Sequence, residues 1–98
     1  MFNYKNLIHH LRKFEECLDD NHELYLRIAH FHENKPLRLA YVIHIKNDDL
    51  VSFELFDEQG KDFVIVQHYS QINFEMIAFP KSAPDKPAKR IGFKTDIA

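Results

Sequence analysis

The sequence predicts an α+β domain: an N-terminal amphipathic helix, then a five-stranded antiparallel meander curled into a small barrel or a strongly curled sheet, then an extended C-terminal tail. Three observations predict it. The apolar residues recur with a helical period before position 19 and with a period close to two after position 22. Polar turn residues separate the alternating runs at short intervals. Three of the four prolines fall between positions 80 and 87, so irregular backbone gathers near the C-terminus.

The helix is read from Tyr4, Leu7, Ile8, Leu11, Phe14, Cys17 and Leu18, which trace one stripe. Asn3 can cap its N-terminus by accepting an orphan backbone N–H. Asp19 and Asp20 oppose the negative end of the helix dipole, so the helix should stop near Leu18, with Asn21 as a left-handed terminator. The lone Cys17 cannot form an internal disulfide and is expected to pack at the edge of the apolar stripe.

Leu24, Leu26 and Ile28 alternate within a first strand that is expected to run to His32. Glu33-Asn34-Lys35-Pro36 reads as a turn, because proline cannot serve a central ladder. Leu37, Leu39, Tyr41, Ile43 and Ile45 give the clearest alternation in the chain. After the turn at residues 46–49, Val51, Phe53 and Leu55 form a third strand. Residues 57–60 form a tight turn in which Gly60 can take a positive φ. Residues 63–66 are continuously apolar, as in a strand covered on both faces. Ile72, Phe74 and Met76 then alternate up to Pro80. Curling is expected because residues 41–45 and 63–66 would be aggregation-prone as open edges.

These elements make one domain over residues 1–80 and a basic, Pro/Lys-rich tail over residues 81–98. Ninety-eight residues suffice for one core, and 45% apolar content with nine Phe and four Tyr is a folding composition. Residues 1–80 carry a net charge of −5 and residues 81–98 carry +3. An acidic body argues against a broad positive face for nucleic acid. The charged first twenty residues lack the apolar core of a signal peptide, and the longest apolar runs are about four residues against the ~20 of a membrane span. A cytoplasmic protein without membrane contact is the expectation. In the tail, Ile91-Gly92-Phe93 is an apolar patch after a polar linker. Two readings stay open, a disordered end or a hook that docks on this chain or on a partner.

The order of one helix and five strands resembles the Sm-like fold, including the bacterial Hfq type, which would make the expected barrel SH3/Sm-like. Val66-Gln67-His68-Tyr69-Ser70-Gln71-Ile72 is similar to the second Sm signature, without the basic residue before the histidine. The resemblance implies an RNA-binding oligomer reading through His68, joined by Lys89 and Arg90 of the tail. Residues 51–93 also resemble a family of uncharacterised bacterial proteins, on Gln67-His68-Tyr69-Ser70-Gln71-Ile72-Asn73-Phe74, Pro80-Lys81 and Arg90-Ile91-Gly92-Phe93. That family has no assigned activity, so it implies a module and not a mechanism.

Chemistry is sparse. There is no Gly-rich phosphate loop, no Gly-x-Ser-x-Gly elbow and no His-Glu-x-x-His, so no enzyme and no cofactor are expected. His30 and His32 would share a face of a strand and could begin a metal site, given further ligands. With seven histidines in the chain, association or solubility is expected to change between about pH 7 and 5.5. Asp48-Asp49 and Asp57-Glu58 sit on loops at the two ends of one strand, where they could meet a basic protein surface. The leading expectation is therefore a small protein-binding module, a regulator or inhibitor, for which an origin in a mobile element or phage is compatible. Its expected contact residues are Asp48, Asp49, Asp57, Glu58, Lys89, Arg90, Ile91 and Phe93. A homodimer through a self-complementary sheet edge is a further partner expectation.

Overall fold

The computed structural model describes residues 3–45 and 49–96, with side chains up to residue 94. Helix α1 (Tyr4–Glu16) is followed by strands β1 (His22–Ile28), β2 (Leu37–Ile45), β3 (Leu50–Phe56), β4 (Asp62–His68), β5 (Phe74–Pro80) and β6 (Gly92–Asp96). Asn3 caps α1, its side chain accepting from the Lys5 N–H at 2.9 Å. The helix ends two residues earlier than expected. Cys17 is its C-cap, with φ −84°, and Asn21 is not left-handed. Cys17 is exposed instead of lying against the apolar stripe. Leu11 is fully buried, and Tyr4, Leu7, Phe14 and Leu18 pack on the same core.

The expected meander holds from β1 to β4 and fails at β5. The sheet order is β4-β3-β2-β1-β5, all antiparallel, so β5 crosses to the far side and pairs with β1 from His22↔Pro80 to Ile28↔Phe74. This topology forces the curl. In a flat sheet β4 and β5 would lie four strand spacings apart, about 19 Å. Five residues join them, and Tyr69–Gln71 form a tight turn. The six Cα–Cα steps from His68 to Phe74 reach about 20–22 Å only when fully extended, and well under 19 Å once three of the five residues are wound into a turn. The sheet therefore bends into a half-barrel. Phe31 meets Phe63 edge-on at 5.9 Å, and Phe53 meets Phe74 at 5.9 Å, so aromatic side chains fill the concave side.

β2 changes partners halfway. Its first residues pair with β1, through Leu26↔Leu37 and Tyr25↔Arg38. The β2/β3 register then shifts between Leu39 and Tyr41, leaving Ala40 as a bulge. The bulge bends the strand and resets its faces, so that Leu39 and Val42 are both buried while Tyr41 is 38% exposed. The single alternation expected over residues 37–45 is thus two alternations joined by a bulge. Past it, the freed edge of β2 accepts β6 in parallel, from Tyr41↔Gly92 to Ile45↔Asp96.

The segment expected as a tail is therefore woven into the domain by a series of anchors. The buried Glu23 carboxylate accepts the Lys89 N–H at 2.7 Å. The Arg90 guanidinium donates to the carbonyls of His22 at 2.8 Å and Asp19 at 3.0 Å. The Ile91 N–H donates to Glu15 at 2.9 Å. A Cβ on Gly92 would run into the Tyr41 ring, which explains a glycine there. Phe93 packs on the core under the Arg12 guanidinium, 4.8 Å from the ring centroid. The Tyr4 hydroxyl lies within hydrogen-bond distance of the carbonyls of Val42 and Lys94, tying α1 to both parallel strands. Burial pushes both the Tyr4 phenol and the Glu15 carboxyl above their ordinary pKa values.

Candidate functional site

The outer face of the sheet carries a cleft of about 350 Å³. Register builds its floor. Phe56, Arg38 and Tyr25 are successive cross-strand neighbours on β3, β2 and β1, so their side chains share one face. Phe79 of β5 stacks on Tyr25 with centroids 4.5 Å apart. Arg38 lies over the Phe56 ring, its guanidinium carbon 4.8 Å from the centroid. Tyr25 is 6% exposed, and burial first, then the charge of Glu23, raises its phenol pKa. It stays a neutral hydroxyl at physiological pH.

Charges of both signs ring this floor. Asp57 and Glu58 come from the β3–β4 turn, and Ser82 and Lys89 from the segment that returns from β5. The turn is well specified. The Asp57 carboxylate accepts the N–H groups of Gln59 at 2.9 Å and Lys61 at 2.8 Å, and Gly60 takes φ 81°. Three residues expected from the sequence as contact residues, Asp57, Glu58 and Lys89, thus meet at one cleft. The other described ones do not. Arg90 is engaged by backbone carbonyls, and Ile91 and Phe93 pack on this chain's own core. Asp48 lies outside the described residues. Asp49 sits at the opposite end of β3, where its carboxylate is 3.8 Å from His68 Nε2 and its carbonyl accepts the Tyr69 N–H. His68 also bonds the Ser70 hydroxyl at 2.8 Å. His68 therefore closes β4, whereas Lys89 and Arg90 fasten the start of β1.

β1 ends at Ile28, short of the expected His32. His30, His32, Glu33 and Asn34 all have φ between 53° and 62°, a left-handed turn that costs on the order of 1 kcal/mol per residue. Asn34 holds it, accepting the His30 N–H on its side chain and Arg27 Nε on its carbonyl. The two histidines thus do not share a strand face. His32 lies 5.0 Å from the Phe63 ring, and His30 lines a shallow hollow with Arg27, Asn34, Asn73 and Glu75. Among the described residues, no three His, Cys, Asp or Glu side chains are grouped to hold a metal.

Tyr25, Arg38, Phe56 and Phe79 were not legible as site residues. They occupy the outer positions of four strands, and only the register and the β1–β5 pairing bring them together. No described helix is long and apolar enough to cross a membrane. No curated protein and no solved structure matches the chain. The model of a family of unknown function, DUF6173, matches residues 4–94, and the chain belongs to that family.

Proposed function

We propose that this chain is a small non-enzymatic binding module of the cytoplasm that regulates or inhibits a protein partner by direct contact at the outer-face cleft. The observation that carries the reading is the cleft's make-up: a stacked Tyr25–Phe79 pair and an Arg38–Phe56 pair inside a rim of Asp57, Glu58 and Lys89. Aromatic and arginine anchors inside a polar rim are the composition of interface hot spots. Rings held by neighbours lose little freedom on binding, which lowers the entropic cost of association.

The test is capture from host lysate, with and without nuclease, by the wild-type chain and by Phe79→Ala and Arg38→Glu variants. A stoichiometric protein that survives nuclease and is lost with both variants supports the reading. Recovery of RNA, with proteins lost on nuclease treatment, would replace it with the Sm-like RNA reading through His68, Lys89 and Arg90. A zinc- or nickel-induced thermal shift that disappears in a His30→Ala/His32→Ala variant would favour the metal reading instead.

A further inference from the structure

β4 is an edge strand with no defence against pairing. It carries no proline, no lysine and no bulge, and its ladder with β3 is regular from Leu50↔His68 to Phe56↔Asp62. Its outer face presents Asp62, Val64, Val66 and His68, with Val64 62% and Val66 52% exposed. The unbroken apolar run at residues 63–66 is that of a strand covered on both faces, yet this fold covers only Phe63 and Ile65. We propose that this edge pairs with a second copy of this chain, β4 antiparallel to β4 about a two-fold axis at Ile65, which sets the exposed valines of the two copies side by side.

The register follows from the side chains. Centred on Ile65, the pairing sets each Val64 opposite Val66 of the second copy and each Asp62 opposite His68 of the second copy, all on the outer face. Centring on Val64 would instead oppose Asp62 to Val66, and centring on Val66 would oppose Val64 to His68. On the outer face, only the Ile65 centre matches apolar with apolar and acid with imidazole; on the inner face it sets Ile65 against Ile65 and Phe63 against Gln67. Directly opposite residues share a face, so one two-fold operation generates both valine pairs and both Asp62–His68 pairs. His68 also faces Asp49 at 3.8 Å, the Ser70 hydroxyl and the Tyr69 ring within its own chain.

Sedimentation equilibrium of the full chain, followed through the micromolar range, is expected to give twice the 11.7 kDa chain mass. Val66→Lys should raise the dissociation constant by about tenfold or more, because it sets a charge against an apolar partner. Far-UV circular dichroism identical to wild type would show that the variant still folds. Register is read separately in a Cys17→Ser background. Chains carrying Val64→Cys, mixed with chains carrying Val66→Cys, should cross-link on mild oxidation far faster than either alone, since opposed Cα atoms about 5 Å apart fit a disulfide. A monomeric mass at every concentration overturns the proposal. So does a dimer indifferent to Val66→Lys, or cross-linking of Val64→Cys alone as fast as the mixture.

Discussion

The two edges of the sheet are built in opposite ways. β5 is fastened and guarded. Glu75 forms an ion pair with Arg27, Phe79 stacks on Tyr25, and Pro80 ends the strand. The Lys81 N–H beyond it donates to Asn21. β4 has the same length and an equally regular ladder, but its outer valines stay more than half exposed. Apolar content therefore does not separate the two strands. β5 spends its outer face on the cleft and its inner face on the core, while β4 spends only one face, which leaves the other available for recognition.

Substitutions can break or sharpen this contrast. Phe74→Ala on β5 should cost about 3 kcal/mol, the low end for a phenylalanine because the ring is half-buried, read as a lower urea midpoint at unchanged slope. Glu23→Ala, where the returning segment is anchored, should cost about 1–3 kcal/mol by leaving the Lys89 N–H without its acceptor; hydrogen exchange at Lys89 and along β6 should accelerate with it. On β4, the Gln67 Oε1 is buried and has no donor among the described residues. Gln67→Met should therefore stabilise by about 1 kcal/mol, measured in the same denaturation series.

The smallest effect is a pH dependence at the anchor. Burial raises the Glu15 pKa, so the stability linked to this group is fully present below the ordinary carboxylate pKa and is lost as pH rises through the folded value. Glu15→Gln keeps an acceptor for the Ile91 N–H and removes that loss. The variant should melt slightly higher than wild type at pH 7 and no higher at pH 4, and a gain equal at both would break the assignment.

The helix, its Asn3 cap, the first four strands and the Gly60 turn were legible because each is set by local period and turn chemistry. The placement of β5 was not, since a five-residue connection does not say which edge it leads to. The Ala40 bulge was hidden because Leu37, Leu39, Tyr41, Ile43 and Ile45 satisfy one continuous alternation on paper. The end of β1 was misplaced because positive φ is uncommon for any residue but glycine, and a turn that places His30, His32, Glu33 and Asn34 there together leaves no glycine to announce it. Of the cleft, the charged rim was legible as loop charges. The floor was not, because a residue on the outer face of a strand acquires neighbours only through register.

The parallel pairing of β6 with β2 also orders the birth of the molecule. Strands β1 to β4 can associate as successive hairpins while the chain is still being made. The edge of β2 from Tyr41 to Ile45 must then wait about fifty residues for its neighbour, so a nascent chain leaves that stretch uncovered until residue 96 has emerged. Closure of so distant a contact should be the slow step of folding. A ribosome stalled between β5 and β6 would hold a nearly complete sheet whose helix has not yet met its second support.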